Sequence, residues 1–408
     1  MKPITAVVIG AGSRGSIYAG YAKDHPEELN IIAIAEPRRD RLDVLAEEVG
    51  VPTEHRFDCW ETLLSQPKMA DCAFICTLDD DHTAPAIKAM ELGYHILLEK
   101  PMSNRESECQ QIAETARKTN RTLAVCHVLR YTPFYMTLKS LIDQGEVGQV
   151  TTINQIENVG YWHQAHSFVR GNWRNTKETS PMLLQKSCHD MDIILWLMGS
   201  TCTRVQSFGS LRHFTAENAP SGAAKRCLDC PHAETCPYSA PKLYLDMDRT
   251  GWPIDVITTD LSLEGRRKAL EEGPYGRCVY YCDNDVVDRQ VVNLEFENGG
   301  VATFTMTGLS ADFSRQLKIF GTEGQIQADM GTKEIVLHRF GESPETIPVD
   351  MGTEASGHGG GDYGIMADFL RILREGGQSR SGAEVSLQSH LICFAAERSR
   401  KENIVVTL

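Results

Sequence analysis

The sequence predicts an α/β protein with a doubly wound parallel sheet at its N-terminus and an α+β domain on an open, mostly antiparallel sheet at its C-terminus. Up to residue 130, strand-length apolar runs alternate with segments of helical character. After residue 131, stretches of alternating Thr, Val and Phe are separated by Gly-containing turns. The change from one sequence pattern to the other predicts a first domain at residues 1–130 and a second at residues 131–408.

Composition narrows the classes to which the chain can belong. Its 408 residues, 41% of them hydrophobic, are enough for two large cores and exclude a disordered or disulfide-stapled chain. The 41 Lys and Arg against 55 Asp and Glu give a net charge of −14, which disfavours nucleic acid or an anionic membrane as a partner. The apolar runs are too short to span a membrane, and residues 1–3 lead directly into a strand. We therefore expect a cytoplasmic protein without a signal peptide, with its 13 cysteines reduced.

The first domain contains five strand-length runs that are apolar throughout. Such runs are typical of parallel strands that are covered on both faces. The segments between them, notably residues 81–92 and 103–118, have the length of crossover helices. The predicted strands are residues 5–9, 31–35, 72–76, 94–98 and 122–126.

A glycine-rich turn follows the first of these strands. The letters VIGAGSRG place Gly10, Gly12 and Gly15 in the spacing G-x-G-x-x-G between a strand and a helix. The first glycine permits a tight turn, the second lets a pyrophosphate approach the backbone, and the third lets the helix pack on the strand. Ser13 and Arg14 begin that helix, whose amino terminus attracts an anion. This context predicts a dinucleotide-binding Rossmann domain.

Glu36 ends the second predicted strand and bears on the choice of dinucleotide. A carboxylate at this position accepts hydrogen bonds from the adenosine ribose and repels a 2′-phosphate, which favours NAD. Arg38 and Arg39 follow directly and would suit the 2′-phosphate of NADP. The alternative interpretation of Glu36 is a solvated acid at the end of a strand, without a ligand. NAD is the expected cofactor, with NADP as the alternative.

The second domain is predicted to be a sheet with flanking helices. We predict helices at residues 134–144, 180–199 and 363–375, the last after the glycine-dense letters GHGGGD. Residues 214–285 are rich in Pro, Gly and Cys and fit an insertion. The predicted strands are residues 151–157, 288–298, 300–308, 316–320, 325–330 and 334–340.

The helix at residues 180–199 carries a polar face. Gln185, His189 and Asp192 stand at i, i+4 and i+7, beside an apolar stripe that faces the core. Oxidation of a secondary alcohol needs a group that takes the hydroxyl proton, and imidazole, with an ordinary pKa of about 6.5, suits that role near neutral pH. A single histidine on a helix is also commonly structural.

Glu99, Lys100 and Pro101 directly follow the fourth strand, at the carboxyl edge where open α/β sheets bind ligands. In this run and in four other features, the sequence resembles the glucose-fructose oxidoreductase/inositol dehydrogenase (Gfo/Idh/MocA) family. The other features are the glycine loop, the letters RYTP at residues 130–133, the GEVGQV turn and the helix around His189. The resemblance implies a Rossmann domain, a second domain whose open sheet often mediates oligomers, and nicotinamide-dependent chemistry on sugars, cyclitols or related polyols.

The resemblance also implies site residues. Lys100 takes the place of the family's active-site lysine and His189 that of its catalytic histidine. Family members commonly carry an aspartate one turn before that histidine, where this chain has Gln185, followed by Lys186. An amide cannot act as a second base, so either the histidine acts without that carboxylate or the reaction differs. Further cofactor contacts are expected from Thr77, His82 and Glu99.

A loop before this helix is rich in aromatic, His and Arg residues that suit the binding of a sugar ring or an acidic sugar. Packing between domains is the alternative interpretation of the same residues. With the helix residues Gln185, Lys186 and Asp192, the substrate-side candidates are Trp162, His166, Arg170, Trp173 and Arg174. Weaker candidates are His127, Arg130, Asn284, His358 and Asp362.

The insertion contains two groups of cysteines. Cys227, Cys230 and Cys236 stand as C-x2-C-x5-C, and Cys278 and Cys282 as C-x3-C. Three thiolates with a fourth from the second loop, Cys282 or Cys278, would form a closed, structural zinc site. Free thiols, a reversible disulfide and an iron–sulfur cluster are the other interpretations.

Three functions agree with these observations. The first is an NAD-dependent dehydrogenase that oxidises a secondary hydroxyl of a sugar, cyclitol or glycoside, as a homo-oligomer. The second is a glycosidase or lyase that oxidises its substrate transiently, eliminates the aglycone and returns the hydride. The third is a non-catalytic sugar or nucleotide sensor.

Overall fold

The computed structural model describes residues 2–349 and 357–408 and has two sheets. The first is a six-stranded parallel sheet in the order β3-β2-β1-β4-β5-β6. Its strands are β1 Ile4–Ile9, β2 Leu29–Ala35, β3 Arg56–Phe57, β4 Cys72–Ile75, β5 His95–Leu98 and β6 Leu123–Val125. Its helices are α1 Ser13–Asp24, α2 Arg39–Glu48, α3 Trp60–Leu64, α4 Thr83–Glu91 and α5 Glu106–Thr119.

The continuous apolar character of these strands comes from helices on both faces of the sheet. Val8 packs into the core on one face and its neighbour Val7 into the core on the other, and neither is exposed to solvent. The parallel sheet and its five predicted strands are confirmed. The strand of this sheet that was not predicted is β3, which has only two residues and therefore shows no apolar run in the sequence.

The second sheet has nine strands in the order β14-β13-β12-β11-β7-β10-β9-β8-β15. Among the described strands of this sheet, only β10 and β7 pair in parallel, so the predicted mostly antiparallel sheet is confirmed. The strands are β7 Val150–Asn158, β8 Cys202–Ser210, β9 Arg289–Phe296, β10 Val301–Thr307, β11 Ser314–Gly321, β12 Gly324–Asp329, β13 Glu334–Arg339, β14 Glu345–Ile347 and β15 Val406–Thr407.

One face of this sheet packs against helices, and the other does not. Buried and exposed residues alternate along β9 and β10, as a sheet covered on one face requires. The remaining helices are α6 Pro133–Asp143, α7 Tyr161–His163, α8 Met182–Met198, α9 Ala240–Tyr244, α10 Ile254–Ile257, α11 Leu263–Glu272, α12 Gly361–Glu375 and α13 Ala383–Glu402. A π-helical segment, Gln164–Arg170, directly follows α7.

Helix α8 is buried on nearly all sides, between the sheet, α13 and the first domain. It ends at Gly199, which adopts a left-handed conformation (φ 66°) that glycine accommodates without strain. Helix α8 is confirmed, whereas β8, β14, β15 and the long helix α13 were not predicted from the sequence. Helix α13 has a weak apolar stripe because small and polar residues such as Ser389 and His390 are buried along it.

The C-terminal helix α12 packs into the core of the first domain. Its residues Ile365, Met366 and Phe369 join the cluster that contains Val8 and Leu97. A division of the chain at residue 130 stays a prediction, but residues 361–375 belong by packing to the first core.

The insertion, residues 214–285, contains short helices and one small apolar cluster of its own, and it shares a second with Ala165 and Val169 of the π-helical segment. Within the described residues, no helix combines the length and apolar character needed to cross a bilayer.

Candidate active site

The turn after β1 has the geometry of a dinucleotide loop. Gly10 has φ 97°, and a Cβ there would lie 2.5 Å from the carbonyl oxygen of Cys76. A Cβ on Gly15 would lie 1.9 Å from the carbonyl oxygen of Gly10. Gly12 precedes α1 and offers no side-chain cap, so the first amides of the helix, from Ser13 onward, are left for an anion.

Glu36 closes this loop from the end of β2. It is 7% exposed, and its carboxylate accepts hydrogen bonds from the amides of Ala11 at 2.7 Å and Arg38 at 3.0 Å. The exposed side chain of Arg38 pairs with Asp40 at 2.8 Å. The acid is therefore fixed at the sheet edge by two amide hydrogen bonds.

Arg14 links the loop to the rest of the site. Its guanidinium pairs with Glu99 at 2.8 Å and with Asp362, at the start of α12, at 2.6 Å. Burial opposes ionisation of Glu99, but the neighbouring Arg14 and Lys100 outweigh it and lower the pKa of that carboxyl. The Arg14 side chain is thus a bridge between β5 and α12, and its contact with a cofactor stays a prediction.

Lys100 spans the gap between the two domains. Its ammonium donates a hydrogen bond to the carbonyl oxygen of Gln185 in α8 at 2.9 Å, and its own amide donates to Glu99 at 2.9 Å. The peptide bond between Lys100 and Pro101 is cis. One ammonium hydrogen is committed to α8, so two remain for a ligand.

His189 lies one turn further along α8. It is 5% exposed, and its Nδ1 has no hydrogen-bond partner among the described residues. Burial, followed by the positive charge of Lys100, lowers the pKa of this imidazole well below its ordinary value. The ring is therefore neutral near pH 7 and able to accept a proton.

His358 completes this cluster from the glycine-dense loop. Its ring centroid lies 6.2 Å from that of His189, and its Nδ1 lies 3.2 Å from both carboxylate oxygens of Asp362. Burial opposes ionisation of Asp362, but the hydrogen bond from His358 and the charge of Arg14 hold the pKa of the carboxyl below its usual range. These two weaker candidates therefore join the site beside His189. The adjacent Gly359 and Gly360 have positive φ, as does His358 itself at 55°, so this loop turns sharply at the site.

A buried chain of charges supports α8 from the side of the sheet. Lys186 pairs with Glu157 at 3.2 Å, Arg315 pairs with Glu157 at 2.8 Å, and Arg315 pairs with Asp190 at 2.8 Å. Burial lowers the pKa of Lys186, with Glu157 opposing that shift. The ammonium of Lys186 lies 4.9 Å from the ring centroid of Phe313.

Aromatic rings stand next to Lys186. Trp162 lies 5.5 Å from Trp252 and 6.1 Å from Phe313, between ring centroids, and the latter two are 43% and 50% exposed. Exposed aromatic faces beside an ammonium suit a sugar ring. Trp162 was predicted, whereas Trp252 and Phe313 come from the insertion and from the turn before β11, and no local signal marks either.

Asp192 does not reach the site. Its carboxylate forms a two-pronged salt bridge with Arg130, at 2.6 and 2.8 Å, and both side chains are buried. The prediction that Asp192 contacts a ligand is wrong, because both of its oxygens are used inside the core. His127 lies between this pair and the site, with its ring centroid 5.6 Å from that of His189.

Two residues of the predicted substrate loop are buried under the insertion. His166 is 2% exposed and bonds the hydroxyl of Tyr244 at 2.7 Å. Arg170 is 1% exposed and donates to the carbonyl oxygens of Arg277 and Tyr238, each at 2.7 Å. Neither is available to a substrate, so both predictions are corrected.

Other predicted contacts join segments of the chain. Arg174 pairs with Asp283 at 2.9 Å, and Trp173 donates from Nε1 to Asp79 at 3.3 Å across the domain boundary. His82, 1% exposed, lies within hydrogen-bond distance of the carbonyl oxygens of Thr77 and Pro101. The predicted ligand roles of Arg174 and His82 are corrected for that reason.

Two further predicted ligand residues, Thr77 and Asn284, form hydrogen bonds with backbone carbonyl oxygens. The Thr77 hydroxyl donates to the carbonyl oxygen of Asp81 at 3.0 Å, and Thr77 itself is only partly buried, so a cofactor contact stays a prediction. Asn284 donates to the carbonyl oxygen of Phe214 at 3.3 Å inside the insertion and is not part of the site.

The cysteines do not form the predicted zinc site. Across residues 2–349 and 357–408, no three His, Cys, Asp or Glu side chains come together closely enough to hold one metal ion. Cys227, Cys230, Cys236 and Cys278 line one small cavity, whereas Cys282 donates to the carbonyl oxygen of Cys278 and does not line it. Neither Cys282 nor Cys278 therefore completes a zinc site with the other cysteines.

Comparisons with known proteins agree with this geometry. A model of an oxidoreductase family with an NAD-binding Rossmann fold matches residues 4–127, and its companion model of a C-terminal alpha/beta domain matches residues 139–408. The chain belongs to the Gfo/Idh/MocA oxidoreductase family. The resemblance seen in the sequence is thereby confirmed.

Relatives within the Gfo/Idh/MocA family are distant. The putative oxidoreductase YteT of Bacillus subtilis (strain 168) is 22% identical over 338 residues, 79% of this chain and 77% of that protein. A scyllo-inositol 2-dehydrogenase (NAD(+)) of the same organism is 26% identical over 277 residues, 67% of this chain and 69% of that protein. Several other curated relatives match over about half of their length.

A solved structure of levoglucosan dehydrogenase, in complex with NADH and L-sorbose, superposes with a TM-score of 0.75. The identity is 19%, and the match covers 100% of this chain and 99% of that one. At this identity the likeness is one of fold.

The loop residues of this family member fit a dinucleotide. The glycine cradle would be filled by any Cβ at Gly10 or Gly15, the start of α1 is uncapped, and Glu36 is fixed at the edge of the sheet. These features leave space and donors where a pyrophosphate would lie and an acceptor where a ribose would lie.

Proposed function

We propose that this chain is an NAD-dependent oxidoreductase that oxidises a secondary hydroxyl of a sugar, cyclitol or glycoside. The observation that carries the proposal is that Lys100 reaches across the domain boundary to the backbone carbonyl of Gln185, one turn before His189, whose imidazole is kept neutral by burial and by the lysine charge. Nicotinamide, when bound, supplies the hydride acceptor.

Lys100 holds and polarises the substrate hydroxyl. The ammonium keeps two hydrogens after its bond to Gln185, so it donates to the hydroxyl oxygen and stabilises the negative charge that develops there. Its own position is fixed by Glu99 and by α8, so this donor is oriented before substrate arrives.

His189 takes the hydroxyl proton. Its pKa is lowered, so the imidazole is in the base form, and its Nδ1 is not committed to another described group. His358, oriented by Asp362, has its ring centroid 6.2 Å from that of His189 and is the second candidate base.

The substrate side is formed by Gln185, Lys186 and the aromatic rings of Trp162, Trp252 and Phe313. The rings offer apolar faces to a sugar, and Lys186 offers a cation to a carboxylate or a ring oxygen. This composition supports a small carbohydrate and favours one with an acidic substituent.

A homo-oligomer is also proposed. The outer face of the second sheet exposes apolar side chains, among them Ile156, Phe208 and Val301 at 38%, 57% and 45%. Sedimentation velocity on the purified chain tests this, since a monomer at micromolar concentration would contradict it.

The decisive experiment separates the proposed dehydrogenase from its rivals. The purified protein is incubated with NAD and a panel of sugars, cyclitols, uronates and aryl glycosides, while NADH absorbance and aglycone release are both followed. Net NADH with a free polyol supports the proposal. Aglycone release without net NADH, with solvent deuterium entering next to the oxidised carbon, would show redox-assisted elimination, and tight NAD binding without turnover would show a sensor.

A further inference from the structure

The proton that His189 takes from a substrate hydroxyl has to leave the protein after each turnover. Oxidation of a secondary alcohol by NAD yields a ketone, NADH and one proton. His189 is only 5% exposed, and burial lowers its pKa well below the ordinary value, so its imidazole does not retain a proton near pH 7. Gln185, one turn earlier, carries an amide that takes up no proton. Another group must therefore carry the proton to solvent.

Two imidazoles of the described residues make ring contacts with His189, and the first leads into the core. His127 lies 5.6 Å from His189 and 5.6 Å from His390, between ring centroids, and His127 and His390 are both 0% exposed. Nε2 of His390 accepts a hydrogen bond from the amide of Met102 at 2.9 Å, and its Nδ1 lies 2.7 Å from the carbonyl oxygen of Ser386. Among the described residues, this row of histidines ends at a backbone carbonyl that cannot pass a proton on.

The second imidazole, that of His358, leads to solvent. Its ring centroid lies 6.2 Å from that of His189, a separation that one bridging water can span. The His358 side chain is 42% exposed, so the ring reaches bulk water as well as the buried site. Its Nδ1 lies 3.2 Å from both carboxylate oxygens of Asp362, which is 0% exposed and is held by Arg14 at 2.6 Å. A fixed carboxylate at this distance stabilises a protonated ring.

The backbone at His358 also indicates a function. This residue has φ 55°, a conformation that residues with a side chain rarely adopt and that glycine adopts without strain. An imidazole held in such a turn beside a candidate active site is typical of a functional residue.

The charges around the two rings favour transfer from His189 to His358. Partial burial lowers the pKa of His358, with Arg14 and Lys186 acting in the same direction, but the Asp362 carboxylate opposes that shift. No such acid opposes the lowering of the His189 pKa, to which burial and four basic side chains contribute: Lys100, His127, His358 and Arg315. A proton is therefore more stable on His358 than on His189.

We propose that His358, oriented by Asp362, carries the proton from His189 to solvent. This inference rests on the proposed dehydrogenase function. The hydroxyl proton passes to the His189 imidazole, then through a bridging water to His358 and from there to bulk water, while the hydride leaves the adjacent carbon for nicotinamide. One proton is thus released for each ketone formed. His358 acts through His189 and needs no contact with the substrate.

Rescue by a small proton carrier tests this relay. The full-length protein is assayed at pH 7 in dilute buffer, with NAD and the polyol that gives net NADH in the panel above, with and without added imidazole. His358→Ala is expected to lower kcat by about tenfold and to regain most of it with imidazole, which replaces the missing side chain. Unchanged kcat in His358→Ala, or a loss that imidazole does not restore, would overturn the relay, because a purely structural defect is not rescued.

His338→Ala is the matched control. His338 is a half-buried histidine on β13, in the second sheet. This variant and the wild-type protein are expected to have the same kcat and no response to imidazole.

A second measurement needs no turnover. An NMR titration of the protein labelled with ring-¹³C histidine, assigned with His189→Gln and His358→Gln, is expected to give a higher pKa for His358 than for His189. Asp362→Asn is expected to lower the pKa of His358 by about 1–3, since the opposing charge is lost. The reverse order of the two pKa values, or an unchanged value in Asp362→Asn, would contradict the proposal. If no polyol gives net NADH, the dehydrogenase function fails, whereas the order of these pKa values still decides whether His358 can draw a proton from His189.

Discussion

Lys100 and His189 owe their chemistry to neighbours that come from distant parts of the chain. Gln185 orients the lysine through its backbone carbonyl, while burial and the lysine charge keep the histidine neutral. The roles of both residues stay proposals until single variants are measured.

Lys100→Met is expected to lower kcat by about 10²–10⁴-fold, because the developing alkoxide loses its charged donor. NAD affinity, measured by fluorescence titration, is expected to stay within about threefold, since the glycine loop is untouched. Lys118→Met, an exposed lysine in α5, is the matched control and is expected to leave both unchanged. Unchanged kcat in Lys100→Met would remove this residue from the mechanism.

The pH profile of kcat/KM tests His189 as the base. An ordinary imidazole would protonate at about pH 6.5 and activity would fall there. Because the pKa of His189 is lowered by burial, its base form persists at lower pH, so the acid limb of the profile is expected well below pH 6.5. His189→Gln is expected to lose that limb together with most of the activity. A limb that His358→Gln abolishes instead would assign the base to His358.

Glu36→Ala tests the choice of cofactor. The carboxylate lies where the adenosine ribose would bind, so its loss is expected to weaken NAD by about tenfold and NADP by less, because repulsion of the 2′-phosphate is also removed. Isothermal titration with both dinucleotides checks this. Equal loss for both would contradict the preference for NAD.

At the scale of elements, α8 is held by two buried ionic contacts. One is the chain from Lys186 through Glu157 and Arg315 to Asp190, on the side of the sheet. The other is the pair of Arg130 and Asp192, which fixes α8 to the segment after β6. The helix thus carries ligand-facing residues on one face because its other polar residues are satisfied within the core.

Asp192→Ala tests that structural role. Removing the acid leaves Arg130 buried without its counter-charge, so the free energy of unfolding is expected to fall by about 3–5 kcal/mol in urea denaturation. The exposed pair of Arg204 and Glu295, 2.9 Å apart on the second sheet, is the control, and Arg204→Met is expected to cost less than about 1 kcal/mol. A raised KM with unchanged stability would instead return Asp192 to the substrate site.

At the scale of the whole molecule, contacts between distant segments bind the halves of the chain together. Helix α12 lies in the first core although it comes from the C-terminal half, and Trp173 and Lys100 cross the boundary in opposite directions.

Burial also lowers the pKa values of a set of histidines spread over the protein: His127, His163, His166, His189 and His390.

These histidines predict loss of stability in acid. The unfolded chain protonates them at about pH 6.5, whereas the pKa values of His166 and His390 fall to about 3 in the fold. The unfolded state therefore binds more protons below pH 6.5, and each such histidine lowers stability by up to about 1.4 kcal/mol per pH unit as the pH falls towards its folded value. Glu157, whose pKa burial raises, opposes this in part.

Urea denaturation at pH 7.5, 6.0 and 5.0 measures that dependence. The free energy of unfolding is expected to fall across the series. In His166→Gln the fall is expected to be shallower, because unfolding of this variant takes up about one proton fewer. Equal stability at all three values would show that the buried histidines are protonated in the folded protein.

The sequence by itself determined the parallel sheet, the glycine loop, the family, and the positions of Lys100 and His189. These follow from short-range patterns: apolar runs covered on both faces, glycines that a turn requires, and a helix with a polar face. Only the tertiary structure decided which polar residues are free. In the sequence, Asp192, His166 and Arg170 look like ligands, but in the fold they bond partners far along the chain. Trp252 and Phe313 reach the candidate site from separate loops. Local patterns carry no information about such partners, because burial and counter-charge arise only when distant segments pack together.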